Sequence, residues 1–243
     1  MPTAIGQVEA LFRYPVKSMA GEPLDDAMLG WHGFEGDRRL ALQRVGNHAG
    51  MPWLTATRLT ELLLYTPLWR DAQGEIPSHV RTPDGRELPV FGEELAAEIA
   101  RRHGAPAQMM QLRHGIFDET PISVIALDTI HEISRLAGVN PDVRRFRPNI
   151  LVRLLQNGPF FEDAWVGGLL SFGEGADAPA IAVTMRDERC AMLNIDPDSA
   201  ALNTQVMKAV VRVNQNNAGI YGTVTRPGKL AIGQPIYLHS AIL

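Results

Sequence analysis

Alternation between apolar and polar positions runs through most of the chain. Across residues 5–16 it sets Val8, Ala10 and Phe12 on one face and Glu9, Leu11 and Arg13 on the other, the period-two pattern of a strand. Residues 24–29 and 37–42 predict two more strands, separated by the glycine-rich turn at residues 30–36. Residues 53–65 change period. Leu59, Leu62 and Leu63 fit one helical face, and Pro67 limits the predicted helix. Residues 80–90 return to a strand folded on itself at Pro83-Asp84-Gly85-Arg86. Residues 93–103 predict a helix carrying Leu95 and Ile99 inward, with Gly104 as its stop.

The second half opens with a buried-looking strand over residues 117–127. Thr129 and Glu132 fit a capping box for a helix whose apolar face is Ile130, Ile133 and Leu136, ended by Gly138. Short strands follow at residues 150–152, 169–172 and 180–185, with an aromatic-anchored turn at residues 158–165. Residues 203–214 predict a helix through Val206, Met207, Val210 and Val211, and residues 219–238 predict a terminal hairpin. No repeat or low-complexity tract interrupts this order. Many short strands and few helices predict an α+β, β-barrel-rich protein, with a soft boundary near residues 111–117 and two halves packed closely together.

Composition narrows the picture only slightly. Of 243 residues, 45% are apolar and 21% charged, so the chain is globular, and its net charge of −4 argues against general nucleic-acid binding. One cysteine forms no internal disulfide, so no oxidising compartment is required. Residues 1–8 lack a signal-peptide pattern, and no run approaches the roughly 18 apolar residues of a membrane span. The expectation is a soluble, cytoplasmic protein without membrane contact.

Motif chemistry is mostly exclusion. No G-x-S-x-G elbow, P-loop or helix-opening G-x-G-x-x-G occurs. The histidines (His32, His48, His79, His103, His114, His131, His239) form no H-x-x-x-H or H-E-x-x-H pair. A lone cysteine excludes an internally ligated four-cysteine iron–sulfur cluster. What remains is Cys190 at a strand end near Arg186 and Arg189, three arginines at 144, 145 and 147, and Lys17-Ser18 beside Pro15. Cationic neighbours favour the thiolate, although free cysteines are also common core residues. Arginines capture phosphate or a fused polar ring through paired hydrogen bonds, although a charge run can equally be a solvated face or a set of structural ion pairs. A thiol with such cations suits an anionic cofactor carrying a soft metal.

Six motifs in fixed order then carry a resemblance: Tyr14-Pro15-Val16-Lys17-Ser18, Gly36-Asp37-Arg38, Arg145-Phe146-Arg147-Pro148-Asn149, Glu162-Asp163-x-Trp165, Arg189-Cys190 and Gly219-x-Tyr221. Together they resemble the MOSC family, in the pattern of the mitochondrial amidoxime-reducing component and its bacterial counterparts. The resemblance implies an N-terminal MOSC β-barrel-like domain over residues 1–112 and a MOSC domain over residues 113–243. It implies a molybdenum cofactor, a pterin with a dithiolene and a phosphate, and no pyridoxal phosphate. Cys190 matches the catalytic metal ligand. Lys17, Ser18, Arg38, Arg147 and Asn149 match positions that hold the pterin and phosphate, with Arg189 beside the ligand and Tyr221 near the site. The activity implied is oxygen removal from N-hydroxylated, N-oxide or S-oxide compounds. The chain shows neither the ferredoxin-like domain nor the targeting segment of some relatives, so electrons are expected from a separate ferredoxin-like, flavin or haem protein. Two alternatives stay open: a sulfur carrier using a Cys190 persulfide, and a non-catalytic molybdenum-cofactor carrier.

Overall fold

The computed structural model describes residues 2–46, 50–71, 74–156 and 158–239. His48 and part of the loop at residues 43–55 lie outside them. Seven strands close a mixed barrel. Thr3–Arg13 pairs with Ile150–Leu154 on one side and with Pro235–His239 on the other. The circuit continues through Leu169–Phe172, Ala180–Glu188, Asn217–Arg226 and Ile122–Ala126, then returns to Ile150–Leu154. That last pairing is the parallel one. Parallel neighbours need a crossover, and a helix supplies it here.

Three α-helices are present among the described residues: α1 (Glu93–His103), α2 (Leu127–Ala137) and α3 (Gln205–Asn214). The crossover is α2. None of them is long and apolar enough to cross a membrane. Alternation along the parallel strands builds two cores at once. Val124, Ala126, Ile150 and Val152 fill the barrel with Leu170, Ile181 and Ile220. Ile125 and Leu151 point the other way, into a layer with Ile130 and Ile133 of α2 and Val206 and Val210 of α3. Strands buried on both faces read as unbroken apolar runs, which is why 122–126 looked buried from sequence. Asn217–Arg226 approaches Ile122–Ala126 so closely that a Cβ on Gly219, at φ 85°, would lie 2.6 Å from the Val124 carbonyl. Only glycine fits there.

A third cluster gathers Val16, Leu40, Leu42, Leu54, Leu62, Tyr65, Val80, Leu95 and Ile99, and takes Ile195 and Ala200 from the loop after Cys190. The pairings do not part at residue 112. Thr3–Arg13 is a barrel stave, and Ala27, Leu29 and Phe34 pack into the barrel core, where Gly228–Ala231 pairs with Asp26–Gly30.

Several expectations change for identifiable reasons. Residues 53–65 hold only a 3-10 turn, Thr60–Leu64, because Leu54 N donates to Leu42 O and draws the first half into extended pairing, while Pro67 disfavours helix at the residue before it. The buried strand begins at Ile122 and gives way to α2 at Leu127. The capping box does not form. Thr129 lies inside α2 and donates its hydroxyl hydrogen bond to Glu162, while the other Glu162 oxygen accepts from Ala126 N at 3.1 Å. The capping carboxylate therefore comes from a distant 3-10 turn, Phe161–Trp165. The terminal hairpin is three separate strands, each paired with a distant partner.

The third cluster contains a strongly charged knot. Buried Glu98 on α1 accepts from Arg86 (2.8 Å), Arg101 (2.6 Å) and Arg102 (2.6 Å), and from the Tyr65 hydroxyl (3.2 Å). Burial pushes the Glu98 carboxyl up, but the three guanidinium hydrogen bonds reverse this and hold it down at about 2. A carboxyl with a lowered folded pKa adds stability above its unfolded value and loses it as pH falls through the folded one. Glu98→Gln is expected to cost about 2 kcal/mol at neutral pH, with the gap to wild type closing between roughly pH 4.5 and 2. Urea midpoints across that range check it. A gap that persists at the lowest pH would assign the loss to packing instead.

Candidate functional site

Where the barrel mouth meets the third cluster there is a cleft of about 450 Å³. Its floor holds Ser123 and Tyr221, which face each other across neighbouring strands. Ala180–Glu188 runs three residues past the predicted strand end and delivers Asp187, Arg189 and Cys190 to the cleft. The Cys190 thiol is exposed, so the core-cysteine alternative falls away. Its carbonyl accepts from Leu193 N at 3.3 Å and opens the 3-10 turn Ala191–Asn194.

Cations line the opposite wall. Lys17 is fixed through its backbone, which donates to Leu40 O at 2.8 Å, and its buried ammonium donates to Asp118 Oδ1 at 2.6 Å. Crowding by the cleft walls works against the Asp118 carboxylate although its side chain is largely exposed, but Lys17 outweighs this and holds the group below its usual range. Arg38 donates to Asp37 Oδ2 (2.5 Å), Asn149 Oδ1 (3.2 Å) and Arg147 O (3.1 Å). Burial works against its charge, but Asp37 more than restores it and the pKa is raised. Arg147 is different. It donates to Met19 O at 2.7 Å and has no carboxylate partner among the described residues. Burial, with the repulsion of Arg38 added, lowers it to about 10. Both guanidiniums lie over the Tyr14 ring, Arg147 at 4.2 Å and Arg38 at 4.9 Å from its centroid.

The backbone is strained at the same wall. Seven non-glycine residues among those described have positive φ, and three of them line the cleft: Ser18 (67°), Arg38 (50°) and Arg147 (52°). Such conformations persist where surrounding structure enforces them, and they gather at functional sites. The Ser18 hydroxyl has no protein partner among the described residues. The Nε atoms of Arg145 and Arg189 are buried without one. Arg189 is otherwise paired with Asp187 and the Phe146 carbonyl. Burial lowers its pKa, but Asp187 more than compensates and the group is raised. Burial pushes the Asp187 carboxyl up in spite of Arg189 and a 3.0 Å hydrogen bond from Ser123. Burial likewise raises the Tyr221 phenol.

The cleft thus brings together Lys17, Ser18, Arg38, Arg147, Arg189, Cys190 and Tyr221. Asn149 does not line it. The side chain is fully buried behind the wall, accepting from Ser123 N and Arg38 and donating to Phe12 O and Asp37 Oδ2. Its place is to hold Arg38 and Asp37. Arg186 also drops out as a neighbour of the thiol, since its guanidinium binds Asp163 and Gln215. Arg144 is an exposed structural cation paired with Asp142 and Asp198, whereas Arg145 pairs with Asp196 and still edges the cleft. Sequence reading missed Asp118, which no local pattern marks, and the role of Tyr14 as a platform, although the residue stands inside a quoted motif.

The fold and cleft together are those of a closed barrel whose mouth joins a cation-rich wall to an accessible thiol. The MOSC domain profile matches residues 100–237, more than half of the chain, and the chain belongs to the MOSC family. That family is associated with molybdenum-cofactor binding. Among solved structures, the YuaD protein of Bacillus subtilis aligns over 99% of this chain and 99% of its own, with a TM-score of 0.54 at 18% identity. YiiM from Escherichia coli aligns over 100% of this chain and 71% of its own, with a TM-score of 0.44 at 12% identity. The first of these shows a shared fold along the whole chain. No curated protein matches the sequence.

Proposed function

We propose that this cleft holds a molybdenum cofactor and that the protein reduces N-hydroxylated, N-oxide or S-oxide compounds. The observation that carries the reading is Arg147, a partly buried guanidinium without a carboxylate partner among the described residues, in the same cleft as an exposed thiol. Even partial burial of a cation without a hydrogen-bonded carboxylate is costly, so an anion in the cleft would be favoured beside it. The unpartnered Nε atoms of Arg145 and Arg189 and the free Ser18 hydroxyl supply further donors. The volume falls in the range of roughly 300–1,000 Å³ typical of small-molecule pockets.

Cys190 would supply the thiolate to the metal. Lys17, Ser18, Arg38 and Arg147 would hold the phosphate and pterin, and Tyr221 would border them. When bound, the cofactor supplies two-electron removal of an oxygen atom, while the protein binds, orients and tunes it. Asn149, Asp37 and Tyr14 keep the two arginines in their strained conformations. Exposure of Cys190 leaves the reacting side open to a small substrate and to a separate electron-donor protein.

The same exposure favours a second reading, in which Cys190 carries a persulfide for cofactor maturation. Analysis of protein from a cofactor-producing host separates the two. Molybdenum stoichiometric with the chain, together with turnover of an N-hydroxylated compound, is expected. Stoichiometric metal without turnover under any electron donor would leave a cofactor carrier. No metal, but cyanide-labile sulfur on Cys190, would replace the proposal with the sulfur carrier.

A further inference from the structure

The polypeptide linking the third cluster to the barrel borders the cleft as a short strap. At one end Ile116 N donates to Arg38 O at 2.8 Å, and at the other the Thr120 hydroxyl donates to Gly222 O at 3.1 Å. Between these anchors, no backbone hydrogen bond among the described residues holds Phe117, Asp118 or Glu119. Asp118 and Glu119 both line the cleft. The one polar side-chain tie of this stretch is Asp118 Oδ1 accepting from Lys17 Nζ at 2.6 Å.

The two partners are unequal. The Lys17 side chain is 7% exposed and that of Asp118 is 63% exposed. A buried ammonium requires a counter-charge, whereas an exposed carboxylate is already solvated. Lys17 is also pinned through its backbone to Leu40, so Asp118 is the partner free to leave. We propose that Asp118 is a resident counter-ion at Lys17, occupying an oxyanion subsite until a phosphate-like group displaces it and the strap moves off the cleft. This rests on the reading of the cleft as a cofactor site and deepens it. Lys17 exchanges one oxyanion for another, and its charge is never left unpaired.

A structural role for Asp118 and a competing role differ in sign. If Asp118 merely positions Lys17, removing its charge weakens anion binding. If it competes, removal strengthens binding. The test titrates inorganic phosphate into protein purified without cofactor, followed by phosphorus NMR. Asp118→Asn is expected to bind about fivefold tighter than wild type, which is about 1 kcal/mol at 1.4 kcal/mol per tenfold and the size of a part-exposed ion pair. Asp118→Glu should match wild type, and adding Lys17→Met should erase the gain. Equal or weaker binding by Asp118→Asn, or a gain that survives Lys17→Met, overturns the proposal. Molybdenum content keeps it apart from the functional reading. Metal in the wild type without tightening sinks the counter-ion alone. Tightening with no metal in any preparation sustains the counter-ion and sinks the cofactor assignment.

Discussion

Cys190→Ala is expected to emerge from a cofactor-producing host with at least tenfold less molybdenum than wild type and without reductase turnover. The thiol is exposed, and the residue contributes to its surroundings through its backbone carbonyl, which alanine retains. Stability should therefore stay within about 0.5 kcal/mol, as for other surface substitutions away from special features. Loss of metal from a protein with an unchanged melting temperature would isolate the ligand role. Cys190→Ser should keep a little metal at best, because a hard hydroxyl oxygen is a poor substitute for a soft thiolate. Full metal content and turnover in the alanine variant would remove Cys190 from the mechanism.

Asn149→Ala is expected to cost about 3 kcal/mol of stability, from two or three buried groups each losing a partner at roughly 1–3 kcal/mol. Its amide joins four groups: Phe12 O, Asp37 Oδ2, Ser123 N and the Arg38 guanidinium. Asp37 is fully buried and would keep only the Tyr14 backbone N–H and Arg38. Arg38 would lose part of the support for its left-handed backbone. Urea unfolding should show the loss, and phosphate affinity should fall with it. A change below about 1 kcal/mol would mean that water replaces the amide, and the strut would be dispensable.

Elements that depend on neighbours in sequence were legible. The helix α1 carries its own stop in Gly104, at φ 79°, and Leu169–Phe172 carries its own β pattern. Those that depend on distant partners were not. Residues 53–65 look helical by spacing, but the strand Leu40–Arg44 takes the Leu54 N–H, and α2 is capped from Glu162. Cys190 and the arginines at 144, 145 and 147 stood out because their chemistry is rare or dense along the chain, whereas Lys17, Ser18, Arg38, Asn149 and Tyr221 were legible as site residues only through the family resemblance. Seven of the eight expected site residues reach the cleft; the eighth, Asn149, carries the right chemistry on the hidden side of the wall. Asp118 had no signal at all. Its partner lies 101 residues away, and a carboxylate in a loop reads as solvated until the fold brings Lys17 to it.

The stave made first during synthesis is also the one that shuts the barrel. Locally Thr3–Arg13 pairs only with the short Glu22–Leu24; its two barrel neighbours are Ile150–Leu154 and Pro235–His239, so the ring cannot close until both have been made. The third cluster meets no such delay, since most of its members lie between Val16 and Met109. The ring depends on long-range pairings, which are slow to form, and the cation wall depends on residues 147–149 reaching Arg38 and Met19. Until the ring closes, Val8 lacks both barrel neighbours and Leu11 has only Leu24 beside it, so apolar side chains destined for the core stay accessible to aggregation.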